Sequence, residues 1–446
     1  MPTPQPQPLL LRNVALVDGR RGVDVRIENG RFAAIGPALP VSADTEQVDA
    51  AGALLSPPFV DAHFHLDAAL SHGQPRVNTS GTLLEGIQIW GELKPHLTEE
   101  ALVERALRYC DWAVAQGVSA IRSHVDVCDE RLLAVRALLD VKRRVAPYLD
   151  LQLVAFPQDG LLRSPGALGL LTQALDLGVE VVGGIPHHER TAADGAQSIR
   201  LLCELAAARG LAVDMHCDET DDPASRHVET LAAETLRLGL QGRVTASHLC
   251  SLHSMDNAYA AKLIALMAEA ELQVVANPLI NITLQGRFDN YPKRRGMTRV
   301  PELMAAGVNV AFGQDCVMDP WYALGSADLL EVAHMGLHVA QLTSQAGMRA
   351  CFDAVTVNAA QVLGRARPQI EVGAPADCVL LQAGDPIEAI RLRAGRLLVI
   401  RGGAVLSHSP ARVAQLNLPG RPTAVDWRQE SPAFQGPVPG LKGASP

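Results

Sequence analysis

The chain has 446 residues, 48% of them hydrophobic and 20% charged, a balance too apolar for intrinsic disorder and long enough for two or three packed units. Its 39 basic and 48 acidic residues leave a formal charge of -9, which offers nothing to a nucleic-acid backbone or an anionic membrane and argues against both as partners.

The opening MPTPQPQPLLLRN has no basic region ahead of its short apolar stretch, and no apolar run reaches the roughly 18 residues of a membrane span. A cytoplasmic protein is expected. From Leu9 to Ala38 apolar and polar residues alternate, broken at DGR and ENG, which predicts short antiparallel strands joined by tight turns. The same texture returns only in Ala376 to Gly384 and Gly395 to Ser407. Residues 1–55 and 366–417 are therefore expected to pair into one small β-sandwich domain.

Between them, over 56–365, eight apolar β-rich runs alternate with Ala/Leu/Glu/Arg-rich stretches of helical period: LLSPPFVDAHFH, SAIRSHVDV, LDLQLVAFPQ, VEVVGGIPHH, LAVDMHCDE, RVTASHLC, LQVVANPLIN and VNVAFGQDC. Their polar ends, from His124 through Pro157, His187, His216 and His248 to Pro278, recur at roughly 30 residues, the length of a β-loop-α unit. An α/β protein with a (β/α)₈ barrel is predicted. The first unit is longer and holds TLLEGIQIWGELKPHLTEE, placed where a lid would sit. Residues 418–446 are rich in Pro and Gly and read as an extended arm. Eight cysteines are scattered singly without a CxxC pair, so reduced thiols are expected and a thiolate metal cluster is disfavoured.

Barrel enzymes build their sites at the C-terminal ends of the strands, and six polar residues fall there: His63, His65, His216, Glu219, His248 and Asp315. In the H-x-H of a strand both imidazoles face one side, and imidazole with carboxylate suits Zn²⁺ or Fe²⁺. H-x-H alone is a weak signal; its company at strands five, six and eight makes it a strong one. His124 reads equally as a support group or a core histidine. His187 and His188 read as a loop feature, His334 and His338 as a packed helix face, Cys217 and Cys250 as small hydrophobes, and YPKRRG as a solvated loop or subunit contact.

PPFVDAHFHLD, SGTLLEGIQIW, DMHCDETDD, ASH, NPLINITLQGRFDNYPKRRG and DPWYALG together resemble the bacterial cytosine deaminases of the amidohydrolase superfamily, across nearly the whole chain. The resemblance implies a homo-oligomer and one divalent metal, Zn or Fe, on His63, His65, His216 and Asp315. Dinuclear members carry a bridging lysine at the end of strand four, whereas VVGGIPHHE has none. It further implies that Glu219 shuttles protons and His248 orients the attacking hydroxide. Asp315 also serves as base, Gln158 reads the pyrimidine carbonyl and ring N–H, and Leu83, Phe156 and Trp321 wall the pocket.

The implied reaction is hydrolytic deamination at C4 of a free pyrimidine base. One departure bears on specificity: the family's second aspartate is replaced in Gln314-Asp315-Cys316, making that wall smaller and apolar. A 5-substituted cytosine, 5-methylcytosine above all, is the expected substrate, with cytosine next. Another cyclic amidine, such as isoguanine, creatinine or an s-triazine, is the alternative; a catalytically dead relative is argued against by the intact ligand set and Glu219.

Overall fold

The computed structural model describes residues 7–42 and 44–428. Each of the eight runs supplies a barrel strand: β1 Phe59–Phe64, β2 Val118–Asp126, β3 Asp150–Phe156, β4 Val181–Gly184, β5 Ala212–Cys217, β6 Val244–His248, β7 Gln273–Ala276 and β8 Asn309–Phe312. They lie side by side in chain order, every neighbouring pair parallel. Strands buried on both faces read as nearly continuous apolar runs, which is why these segments were visible. Two backbone hydrogen bonds close the barrel just beyond its last strand: Asp315 N–H donates to His63 O at 2.8 Å, and His65 N–H to Asp315 O at 3.1 Å.

The floor of the barrel is sealed by Val357–Val362, a short helix whose Ala359, Ala360 and Val362 pack against Val60, Ala62, Ala120, Val275 and Ala311. Only the C-terminal end of the barrel is left for chemistry. Above it the long first unit forms a helix, Leu83–Leu93, ahead of the crossover helix Glu99–Ala115.

The two ends of the chain form one eight-stranded sheet, from Leu9–Leu16, Val23–Glu28, Arg31–Gly36, Glu46–Asp49 and Leu54–Ser56 on one side and Cys378–Leu381, Arg396–Arg401 and Ala404–His408 on the other. Leu9–Leu16 pairs with Glu46–Asp49 along its first half and with Leu54–Ser56 along its second. Both halves of the sheet feed one apolar core that includes Leu11, Val25, Phe32, Leu55, Cys378 and Ile400. The run LLSPPFVDAHFH is thus two strands, because Pro57-Pro58 interrupts the ladder between Ser56 and Phe59. Of the predicted arm, Ala424–Val425 pairs antiparallel with Ala414–Gln415, and residues 429–446 lie outside the described residues. No helix among the described residues is long and apolar enough to cross a membrane. All eight cysteines are free thiols.

Candidate active site

Strand ends deliver the predicted residues to one place. His63, His65, His216, His248 and Asp315 are all buried, and the rings of His63, His65, His216 and His248 crowd together, His63 lying 4.6 Å from His216 and 4.9 Å from His248 between centroids. The backbone bends sharply to aim them. His248 and Asp315 adopt left-handed φ values of 72° and 66°, and Asp218, just before Glu219, 54°. Such conformations cost about 1–3 kcal/mol each and persist where the surroundings over-determine them. At Asp218 the surroundings are explicit: its carboxylate accepts from Ser225 Oγ at 2.7 Å, His227 N–H at 3.0 Å and Val228 N–H at 2.9 Å.

The donor atoms converge. His65 Nε2 and His216 Nε2 are 2.9 Å apart, and Asp315 Oδ1 lies 3.4 Å from His65 Nε2 and 3.5 Å from His63 Nε2. His63 Nε2 is buried without a hydrogen-bond partner. Burial drives the imidazoles toward their neutral, ligating form, His65 down to about 4 and His216 and His248 well below their ordinary value. Burial opposes ionisation of Asp315 too, yet the surrounding imidazoles of His63, His248 and His65 outweigh it and hold this carboxyl below the usual range. His63, His65 and Asp315, and likewise His63, His216 and His248, bring their ligand atoms within 4.8 Å of one another, and such imidazole and carboxylate donors fit a divalent cation. Glu219 is different. Burial, then the neighbouring Asp315, pushes it well above the carboxylate range, and its Oε1 stands 3.6 Å from His248 Nδ1.

A cavity of about 320 Å³ is lined by His65, His216, Glu219, His248 and Asp315 together with Leu83, Gln158, Cys316 and Trp321, and finished by Ile185, Ile280 and Leu284. Phe156, expected as a pocket wall, stands behind the cavity instead: its ring stacks on His216 at 4.1 Å and 20° and so braces a donor. The inward-facing imidazole covers it. Leu83, Glu219 and Leu284 also line a roomier outer cavity of about 1230 Å³, with His187, His188, Arg287 and the exposed Phe288. His187 Nδ1 lies 3.1 Å from His216 O, a loop contact as expected, and His334 and His338 face each other on Leu329–Val339, away from the cavity. His124 lies inside the barrel, its ring 4.2 Å from that of His63.

Sequence reasoning missed three groups of supporting residues. Asn281 Nδ2 donates to His248 Nδ1 at 3.0 Å. Lys94 Nζ bridges Asp126 and Asp159 at 2.8 and 2.6 Å, while Trp90 Nε1 donates to Asp126 at 2.8 Å, which ties Leu83–Leu93 to the loop carrying Gln158. Arg122, Asp214 and Ser247 form a buried polar layer beneath the imidazoles. The third had a signal in RSH and DMH, while Ser247, directly before His248, shares its face with Thr245 instead. A polar residue two positions before an inward strand-end residue must itself face inward.

Comparison with known proteins agrees with this geometry. The Amidohydrolase family matches residues 46–407. The fold superposes on the crystal structure of 5-methylcytosine deaminase from Klebsiella pneumoniae liganded with 5-fluorocytosine with a TM-score of 0.88 and 41% identity, covering 92% of this chain and 100% of that one. N-isopropylammelide isopropylaminohydrolase from Burkholderia multivorans matches at a TM-score of 0.78 and 28% identity, over 90% of this chain and 98% of that one. A pterin deaminase from Rhizobium rhizogenes is 31% identical over 88% of this chain and 89% of its own length.

Proposed function

Because the chain belongs to the amidohydrolase family and is a hydrolase of C–N bonds in the manner of the family's deaminases, we propose that its cyclic-base substrate is a free pyrimidine, 5-methylcytosine first and cytosine second. The observation that carries the choice is Cys316. It sits in the cavity wall beside Asp315, together with Gln158 and Glu219. In this reading His63, His65, His216 and Asp315 hold one divalent cation, Zn²⁺ or Fe²⁺, which when bound lowers the pKa of water toward ~7.

The remaining work belongs to side chains. Gln158 offers an amide acceptor and donor to the ring N–H and carbonyl. Glu219 holds a proton and passes it to ring N3 as water adds at C4, which keeps negative charge from building on the ring. Asp315 takes one proton from the water that His248 orients, and this proton leaves on the departing amine; the C4 hydroxyl returns the other to Glu219, so that base plus water becomes the 4-oxo base plus ammonia. Leu83 and Trp321 cover the ring and keep out bulk water. The same reading includes a cytoplasmic homo-oligomer, which cell fractionation and sedimentation would check.

A methyl group at C5 meets a thiol at Cys316, where an aspartate would be crowded and stripped of water. Filling that niche is worth about 1–3 kcal/mol, or roughly 10–200-fold in kcat/KM. The test compares kcat/KM for 5-methylcytosine and cytosine in the native chain and in Cys316→Asp. We expect a preference for the methylated base that swings toward cytosine in the variant; equal or better activity on cytosine in the native chain defeats the reading. The pterin deaminase relative favours a second reading, a bicyclic amidine, so pterin belongs in the same assay.

A further inference from the structure

We infer that Ser247, held by Asp214 and Arg122, selects the ring tautomer of His63 and thereby makes its Nε2 a metal ligand. The inference rests on the metal reading above. All four residues are buried, His63, Asp214 and Ser247 completely and Arg122 to within 2%. Arg122 Nη1 donates to Asp214 Oδ2 at 2.9 Å and to Thr245 Oγ1 at 3.2 Å, its Nη2 donates to Val362 O at 2.6 Å, and its Nε to Gln152 Oε1 at 2.7 Å. Ser247 Oγ donates to Asp214 Oδ1 at 2.8 Å, and His63 Nδ1 lies 3.0 Å from Ser247 Oγ.

The proton directions along this chain follow from counting. A guanidinium has donors only, so Asp214 must accept from Arg122. A carboxylate facing a guanidinium has no proton to give, so Ser247 spends its single hydroxyl hydrogen on Asp214 Oδ1. The oxygen then has only lone pairs left for His63, whose Nδ1 must be the protonated nitrogen. A neutral imidazole protonated at Nδ1 presents a bare lone pair at Nε2. That is the atom that faces Asp315 at 3.5 Å and has no hydrogen-bond partner. The opposite tautomer would aim a hydrogen at the metal and leave two lone pairs opposed at Nδ1. Ser247 is therefore a positioning residue, separated from the cation by the His63 ring, and Arg122 is the anchor that sets the direction of the whole chain.

The fold explains why these four meet. Arg122 and Asp214 each lie two positions before an inward histidine on β2 and β5, while Thr245 and Ser247 alternate on β6. Residues two apart on a strand share a face, so one barrel layer is polar and ordered beneath the layer of imidazoles.

The test measures zinc affinity of the full-length protein by competition with a chromogenic chelator, using zinc alone and no substrate. Ser247→Ala should bind zinc about 10–100-fold more weakly, and Ser247→Thr, which keeps the hydroxyl, should stay within a few-fold of the native chain. Ring ¹⁵N shifts of His63 in the metal-free native protein give a readout that needs no variant to fold: protonated Nδ1 is expected. Native zinc affinity in Ser247→Ala, or a proton on Nε2 of His63, overturns the inference while leaving the metal site standing. Failure of the native chain to take up zinc, or unchanged binding in His65→Ala, overturns the metal reading and the inference with it.

Discussion

Glu219→Gln keeps the size of the side chain and removes its ability to give and take a proton, so it separates holding the substrate from moving protons. Glu219 is not among the four donors, and the variant should retain its metal while losing roughly 10²–10⁴-fold in kcat, the range for removing a general acid-base group. Metal content and kcat measured on one preparation decide it; near-native turnover would remove Glu219 from the proton path. At this scale the residues that converge on the cavity were visible because each is a polar exception at the end of an apolar strand. His63, His65, His216, His248 and Asp315 could be placed without coordinates for that reason. Phe156 could not. Its position at the end of β3 pointed it toward the cavity, but whether it is a wall or a brace depends on which neighbour covers it, and His216 does. Ser247 and Asp214 were passed over because a hydroxyl and a carboxylate one turn of the pleat below the site carry no motif of their own; only the inward alternation shared by three strands marks them.

At the scale of elements, the helix Leu83–Leu93 sets how tightly the cavity is roofed. Thr82 Oγ caps it by accepting from Glu85 N–H at 3.2 Å, Arg76 ties Glu85 and Glu92 at 2.7 and 2.9 Å, and its far end is held through Trp90 and Lys94. Gly86 is the position that lets it sit so close: a methyl there would come within 2.2 Å of Trp321 Cδ1. Alanine favours a helix over glycine by about 1 kcal/mol, whereas overpacking costs about 1–3 kcal/mol. The clash wins, because Trp321 is buried, its ring packed 6.2 Å from that of His65 and 6.4 Å from that of Trp90 between centroids, while its backbone N–H is held by Asp319 at 2.9 Å. Gly86→Ala should therefore raise KM by roughly 5–150-fold with a smaller change in kcat. Unchanged KM for the preferred base would show that the helix can move off Trp321 without cost. The insertion was recognisable as a lid-sized departure from a step of roughly 30 residues. What lies under it was not, since its partners are Asp126 at the end of β2 and Asp159 in the loop after β3. Strand ends were overextended for a related reason: apolar runs continue into the loops that wall the cavity, as VEVVGGIPHH does beyond the four residues of β4.

For the whole molecule, the proposed cation would join β1, β5 and the turn after β8, which are far apart in sequence, so its removal should be felt as stability. Binding to the folded chain alone adds about 2.7 kcal/mol at a hundredfold excess over Kd and 4.1 at a thousandfold. With an unfolding entropy near 2.1 cal/mol/K per residue, a chain of this size should melt roughly 3–5 °C lower after chelation if it unfolds as one unit. Readdition should restore the loss at about one metal per chain. Among the described residues, a second cation could turn to His63, His124 and Asp214, whose ligand atoms also lie close together. Asp214 and His63 Nδ1 are already committed there, although both ring nitrogens of His124 are buried without a hydrogen-bond partner. Asp214 Oδ2 accepts from Arg122 at 2.9 Å, and a cation bound to Asp214 would face that fixed positive charge in a buried layer. His63 Nδ1 is turned to Ser247, and β4, where a bridging lysine would be needed, ends in Gly183-Gly184. Titration of the metal-free protein with zinc, followed by elemental analysis after desalting, should therefore saturate both the melting temperature and the bound metal at one equivalent. A second tightly held equivalent that raised the melting temperature further would show that the Arg122–Asp214 pair can open to admit it, and the mononuclear reading would fail.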